Sequence, residues 1–445
     1  MTKTLLTNGT LVNEHRIYRA DILIEGQRIA RIEPSITASL ANRVVDLEGC
    51  HVLPGIIDDQ VHFREPGPTH KATIASESLA AVCGGVTSVM EMPNTSPPTT
   101  SRRALADKLA LARGRCFANF AFYLGASNEN IEELKRVRLG EACGIKVFMG
   151  ASTGDMLVDD ESVLERIFEH APLLVATHCE DSPTIWENEK RFREQYGEEV
   201  PMSCHPRIRS AEACYKSSSL AVELARRFGT RLHVLHLSTA RELELFDAGP
   251  IEDKRITAEV CVHHLWFDES RYADLGTLIK CNPSIKSRED REALLTALTD
   301  DLLDVVATDH APHTLEEKRQ SYFRAPAGLP LVQHSLQILL ELHHQGRLTL
   351  EQIVSKAAHN PARLFRLKAR GFLRAGYFAD LAVVDLKRSE RVASNNLRYK
   401  CGWSPFEGVE FRSSVVMTFV NGAVAFDRSD AAVEPRGQAL TFLEP

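Results

Sequence analysis

The chain has 445 residues, more than one compact core usually holds, so a large barrel or two domains is expected before any motif is read. Apolar residues make up 44% and charged residues 25%, the balance of an ordinary soluble globular protein. With 53 basic against 60 acidic residues the net charge is -7 and no dense Lys/Arg cluster occurs, which excludes a nucleic-acid surface and favours a small, uncharged-to-anionic substrate in a local pocket.

The N-terminus, Met1 to Gly9, turns polar too soon for a signal peptide, and no run of about 18 apolar residues follows, so a cytoplasmic protein without membrane contact is expected. Ten cysteines are scattered singly, several inside apolar runs (Cys83, Cys143, Cys261), with no C-x-x-C pair, which predicts reduced, buried thiols. The first fifty residues alternate in short strand-like pieces: Leu5-Leu6, Thr10 to Val12, Ala20 to Ile24, and Arg28 to Ile32 after a Glu25-Gly26-Gln27 turn. The end of the chain reads alike, with Ala379 to Val384 and Val415 to Val420 before an Asn421-Gly422 turn. Each piece is too short to close a core, so residues 1–53 and 372–445 are expected to form one composite β-sandwich domain.

Between them, in residues 54–371, apolar strands alternate with helices. The expected strands are Gly55 to His62, Val86 to Met92, Phe117 to Leu124, Gly144 to Met149, Leu173 to His178, Leu232 to Leu237, Ile256 to Val262 and Leu303 to Thr308. Helical periodicity falls between most of them, for instance over Arg103 to Arg113, Ser162 to His170, Ala211 to Arg227 and Glu289 to Leu298. Eight such units over ~250 residues predict an α/β fold of the (β/α)8 TIM-like barrel type, whose chemistry collects where the strands end. An apolar stretch, Leu331 to Leu342, is expected as a helix that faces a partner, and a homodimer is allowed for.

Polar residues do collect at those ends. Gln60 and His62 close the first strand, Lys146 lies in the fourth, His178 and His236 end the fifth and sixth, and Asp309 ends the eighth. Alternate residues of a strand point the same way, so a His-x-His pair offers two imidazoles to one ion; here Gln60 stands in the first place. Three imidazoles and the Asp309 carboxylate suit Zn(II) or a similar ion, which would activate water and polarise a carbonyl while Asp309 moves the proton to a leaving nitrogen. Lys146 is either a rim lysine in an ion pair or, carbamylated by carbon dioxide, a carboxylate that bridges two metals. Arg64, two residues past His62, is either a planar clamp for a substrate carboxylate or part of a rim salt bridge. No Gly-x-Ser-x-Gly elbow and no assisted cysteine speaks for covalent catalysis.

These motifs resemble the amidohydrolase superfamily, and the dihydroorotase family within it, over nearly the whole chain. The resemblance is carried by His62-Phe63-Arg64-Glu65-Pro66-Gly67, Met92-Pro93-Asn94-Thr95, Lys280-Cys281-Asn282-Pro283 and Asp309-His310-Ala311-Pro312-His313. Ala327 to Pro330, Asn360-Pro361-Ala362 and Ala379-Asp380-Leu381 extend it. It implies reversible closure of N-carbamoyl-L-aspartate to L-dihydroorotate in pyrimidine synthesis, with Arg64, Asn94, Asn282 and His313 on the substrate. It also implies one or two zinc ions and N6-carboxylation of Lys146. Hydantoinases and allantoinases share the metal set and form the enzymatic alternative; a non-catalytic partner of aspartate transcarbamoylase is the other.

Two departures bear on the metal. Gln60 is a neutral, weaker ligand than histidine, and Gly150 stands roughly where many single-chain bacterial relatives place a bridging aspartate, which leaves the bridge to Lys146. Ser284-Ile285-Lys286, where the family often has Pro-Leu-Arg, is a smaller change. The expectation is one firm ion on His178, His236 and modified Lys146, with a second at His62 and Asp309 weak or absent.

Overall fold

A computed structural model describes residues 2–150, 156–429 and 434–444. The N-terminal segment runs through β1 (Lys3–Asn13), β2 (Arg16–Glu25), β3 (Arg28–Glu33), β4 (Arg43–Asp46) and β5 (His51–Pro54). The barrel strands follow as β6 (Ile56–Val61), β7 (Val86–Glu91), β8 (Asn119–Phe122), its continuation β9 (Leu124–Gly125), β10 (Ile145–Phe148), β11 (Val175–His178), β12 (Leu232–Val234), β13 (Ile256–Cys261) and β14 (Val305–Ala307). The C-terminal segment adds β15 (Leu381–Asp385), the short pair β16 (Glu390–Arg391) and β17 (Glu410–Phe411), then β18 (Ser414–Val420) and β19 (Ala423–Asp427).

Strands from both chain ends share one eight-stranded sheet in the order β19-β18-β15-β5-β1-β2-β3, with β4 beside β1. The seam is the antiparallel pairing of β15 with β5, which sets Leu381 opposite Pro54 and Val383 opposite Val52. Leu6, Ile22, Val52, Leu381 and Phe419 fill its buried face. Neither end could bury this face alone, because each contributes only part of the sheet.

The barrel runs in parallel order β9 to β14 on one side and β6 to β8 on the other. It closes where the His62 amide donates to the His310 carbonyl at 2.7 Å and Val61 bridges His310. Its strands are buried on both faces, as parallel strands flanked by helices must be. Ile57, Met90, Tyr123, Ala176, Leu235 and Val305 pack inside, while Val86, Val89, Val147 and Val260 pack outward under the helices. The eight expected strands and four named helices all form, the helices as Arg102–Ala112, Glu161–His170, Ala211–Phe228 and Arg288–Thr299. Side chains of Ser101, Asp160, Ser210 and Ser287 cap their first turns, and Gly229 ends the third in the left-handed conformation.

One expectation fails. The apolar helix, Ser335–His344, does not face a partner: every residue from Ser335 to Leu342 is buried within the chain. Its apolar character reflects packing on all sides against neighbouring helices of the same chain.

The helix over residues 102–112 also carries an internal ion pair. Lys108 Nζ lies 2.7 Å from Glu91 Oε2 and donates to the Met92 carbonyl at 3.0 Å, while Glu91 Oε1 accepts the Phe63 amide at 3.1 Å. Burial pulls the ammonium below its usual value and pushes the carboxyl above it, each opposed by the partner's charge. Both side chains are 1% exposed, so removing one strands the other. Lys108→Met is therefore expected to cost about 3–5 kcal/mol, read as a lower urea midpoint; a shift under about 1 kcal/mol would show that the site relaxes around Glu91.

Candidate active site

A cavity of about 510 Å³ opens at the C-terminal end of the barrel strands. Its wall includes every residue singled out for chemistry: Gln60, His62, Arg64, Asn94, Lys146, His178, His236, Asn282, Asp309 and His313. Strand direction explains the convergence, since parallel strands deliver their last residues to one rim. Two of the strands stop sooner than the sequence suggests. β12 ends at Val234 and β14 at Ala307, and the chain turns sharply beyond each. His236 and Asp309 adopt positive φ of 41° and 50°, as does Arg64 at 65°. Three non-glycine residues in this region at one rim mark backbone strain held where side chains must be aimed inward.

The metal-type residues form two groups. In the first, Asn94 Oδ1 lies 2.7 Å from His62 Nδ1, and His62 Nε2 lies 3.0 Å from Asp309 Oδ1. An amide oxygen only accepts, so Nδ1 carries the proton and a bare Nε2 faces a carboxylate. Burial lowers the imidazole's pKa despite Asp309, which disfavours a second proton. Two acceptors facing each other call for a cation between them. In the second group, His178 Nε2 donates to Glu180 Oε2 at 2.9 Å, which leaves Nδ1 bare and 3.0 Å from His236 Nε2. Among the described residues His236 Nδ1 and Lys146 Nζ have no hydrogen-bond partner although both are buried. Burial, then His178 and Lys146, hold His236 well below the usual imidazole range, and burial brings Lys146 down to about 8. Neutral imidazoles, a buried amine whose hold on its proton is weakened and a carboxylate are a donor set that fits a divalent ion of the zinc class.

Gln60 stands apart from this set. Its Nε2 donates to Asp309 Oδ1 at 3.1 Å and its Oε1 points toward Cys261 Sγ at 3.7 Å, so the amide turns its nitrogen to the site and supplies no ligand atom there. At Gly150 a Cβ would come within 2.0 Å of the Glu180 carbonyl oxygen. No side chain fits at that position, which removes it as a source of a bridging carboxylate.

Opposite the metal-type residues lies a cationic wall. Arg64 Nε donates to the Pro312 carbonyl at 3.2 Å and its terminal nitrogen lies 3.0 Å from His313 Nε2. Among the described residues no carboxylate pairs with it, and burial lowers it to about 10. His313 also contacts Lys71 Nζ at 2.9 Å and the Ala327 carbonyl at 3.0 Å. Burial, Arg64 and Lys71 keep it neutral, well below its usual range. Asn282 lines the cavity with a buried Oδ1 that has no partner. The alternative for Arg64, a salt bridge within the rim, is thus not formed among the described residues.

Several residues escaped the sequence reading. Glu180 orients His178 and is itself held by Arg209 at 2.5 Å; burial would raise its carboxyl, but Arg209 and His178 outweigh this and hold it at about 2. A carboxylate two residues beyond a strand-end histidine shares its face, a signal available in His178-Cys179-Glu180. Lys71, Arg209 and the half-exposed Trp186 at the cavity mouth carry no such signal, because loops and a polar helix bring them in.

Residues 51–425 match the model of the Amidohydrolase family. Curated proteins named dihydroorotase are similar throughout: that of Methanosarcina acetivorans is 34% identical over 91% of this chain and 88% of its own. That of Halobacterium salinarum is 35% identical over 92% and 93%, and that of Pyrococcus furiosus 32% over 98% and 96%. Among solved structures, the L-hydantoinase (dihydropyrimidinase) of Arthrobacter aurescens superposes with a TM-score of 0.93 at 27% identity, covering 99% of this chain and all of that one. The dihydropyrimidinase of Brevibacillus agri gives 0.89 at 25% identity with full coverage of both chains.

Proposed function

The chain belongs to the amidohydrolase family, whose members are metal-dependent, and from that premise we propose that it is a dihydroorotase of pyrimidine biosynthesis, closing N-carbamoyl-L-aspartate to L-dihydroorotate and opening it again. The observation that carries this reading is Arg64, a cation without a carboxylate partner among the described residues, in the same cavity as the imidazole and carboxylate set. A cyclic amide bearing a carboxylate needs both.

Arg64 clamps the substrate carboxylate, with Asn94, Asn282 and neutral His313 donating to and accepting from the ring amide groups around it. Zinc-class ions, one at His178, His236 and a modified Lys146 and a weaker one at His62 and Asp309, would supply an acidified water and a polarised carbonyl. In the hydrolytic direction Asp309 takes the proton as the water oxygen bonds to the ring carbonyl carbon. It returns that proton to the ring nitrogen as the carbon–nitrogen bond breaks. The cavity holds the ring between the two walls, so orientation is set before bonds change.

Loss of dihydroorotate absorbance on incubation with the purified protein, repeated with hydantoin and allantoin, tests the assignment. Turnover of dihydroorotate alone supports it; turnover of the other two in its place points to the hydantoinase-like alternative, and none to a non-catalytic partner of aspartate transcarbamoylase.

Lys146 is proposed to be N6-carboxylated, supported by its buried amine, which is unpartnered among the described residues and brought down to about 8. Protein exposed to 13C-bicarbonate should then give a carbamate carbon signal that Lys146→Gln lacks. The ion on His178, His236 and Lys146 is proposed to be firm and the one at His62 and Asp309 weak or absent, because Gln60 presents its nitrogen to Asp309. Gln60→His should raise the zinc held at the rim residues toward two, read from anomalous density there, whereas two rim ions held tightly by the wild type would sink the idea.

Residues 1–53 with 372–445, and residues 54–371, are proposed as the two domains, supported by the β15–β5 seam. A cytoplasmic location is proposed on ten free cysteines. No helix among the described residues is long and apolar enough to cross a membrane. A homodimer is proposed through a face other than the buried helix, with exposed Ile17, Leu40 and Val44 as the apolar candidates and sedimentation velocity as its test.

A further inference from the structure

One layer beneath the cavity, inside the barrel, three side chains meet that the proposed reaction does not use. Asp59, His233 and Glu259 are each 0% exposed, and one ligand-type atom from each lies within 4.8 Å of the others. A register irregularity in β6 between Asp58 and Val61 accompanies this: Asp58 meets Thr308 Oγ1 at 2.6 Å, while Asp59 turns to the barrel interior.

The hydrogen bonds of this cluster leave it short of donors. Thr257 Oγ1 donates to the Leu232 carbonyl at 3.2 Å, so its remaining role toward His233 Nδ1, at 2.8 Å, is to accept. His233 Nδ1 therefore carries a proton. Burial would lower this imidazole, but Asp59 and Glu259 outweigh it and raise it to about 9. Without an ion Nε2 thus holds a second proton, and a bound cation takes that proton's place on the Nε2 lone pair. That lone pair faces Asp59 Oδ2 at 3.3 Å and Glu259 Oε2 at 3.6 Å. Among the described residues, both oxygens of Asp59, Oε2 of Glu259 and Nε2 of His233 have no hydrogen-bond partner of good geometry. Four acceptor atoms converge in a closed interior, and one proton on Nε2 could serve only one of them. Unpaired buried carboxylates are too costly to stand without compensation.

We propose that Asp59, His233 and Glu259 bind a divalent metal ion of the zinc or manganese class, a second centre separate from the rim site. One imidazole and two carboxylates supply the nitrogen and oxygen ligands such ions take, and two negative charges match a 2+ ion. The Nδ1 proton on Thr257 is the outer hydrogen bond that fixes a ligating histidine's tautomer. Glu259 Oε1 accepts the His236 amide at 3.1 Å, and Asp59 directly precedes Gln60. An ion here ties β6, β12 and β13 together under the residues that line the cavity. It binds without reference to the substrate, so the proposal stands apart from the dihydroorotase reading.

Crystals of the full chain, prepared with zinc as the only added transition metal, should show an anomalous peak on the high-energy side of the zinc edge, bounded by these three side chains and absent below the edge. Being enclosed, it should persist after dialysis against a chelator. In Asp59→Asn the peak should vanish and chelator-resistant zinc should fall by one ion per chain, while any rim density stays. A wild-type map with a water-like peak and no edge signal, or with no density at all, overturns the proposal. So does a peak that survives Asp59→Asn unchanged. The wild-type map decides even if the variant does not fold.

Discussion

Asp309→Asn should lower kcat for dihydroorotate hydrolysis by about 10³-fold, with KM changed far less. Asparagine keeps the size of the side chain and can still meet Gln60, yet it cannot accept a proton from water or hand one to a leaving nitrogen. The expected loss lies within the range of about 10²- to 10⁴-fold for a positioned general acid or base. Asp309 also faces the bare Nε2 of His62 at 3.0 Å, so metal content must be measured beside the rate. His62→Asn serves as the control, since it weakens the same metal position while leaving the carboxylate in place. If both variants lose zinc and rate in parallel, Asp309 acts only as a ligand; if Asp309→Asn keeps its zinc and loses its rate, the proton role stands. A kcat within about threefold of wild type would remove Asp309 from the chemistry.

Arg64→Met should lower kcat/KM for dihydroorotate by about 10²- to 10³-fold. Truncating one partner of a buried, hydrogen-bonded charge pair costs about 2–5 kcal/mol, and each 1.4 kcal/mol is tenfold. The specific test pairs the variant with dihydrouracil, which is the same ring without the carboxylate. Wild type should prefer dihydroorotate strongly, and Arg64→Met should lose most of that preference because the missing interaction is already absent on one side of the cycle. Equal losses on both substrates would show that Arg64 supports the rim and does not read the carboxylate. The same substitution should leave the stability of the unliganded protein unchanged or slightly raised. Arg64 sits buried at φ 65° beside His313, and no carboxylate among the described residues pairs with it directly.

Much of this architecture was legible in the chain. The eight barrel strands are apolar, β-branched runs, and five of them carry at or near their ends a polar residue out of place in a core. His62, His178, His236 and Asp309 could therefore be placed at one rim without coordinates. The apolar stretch Leu331 to Leu342 was legible as a helix but not in its setting, because one helix buried on all sides by its own chain and another buried by a partner have the same composition. Glu180 was readable from its spacing to His178. Lys71 and Arg209 were not, since a side chain that reaches the site from a loop or from beside another helix has no period to betray it.

Sequence by itself determined the fold class, the identity of the chemical groups and the departure at position 60, because these depend on residue types and local period. Only the tertiary structure decided which way those groups face. It turned the Gln60 amide nitrogen toward Asp309, excluded a side chain at Gly150 by the approach of the Glu180 carbonyl, and left Arg64 without a carboxylate partner among the described residues. It also gathered Asp59, His233 and Glu259 from three strands into one buried cluster. The reason is that orientation at a strand end is set by contacts between segments far apart in the chain, and no local pattern records them.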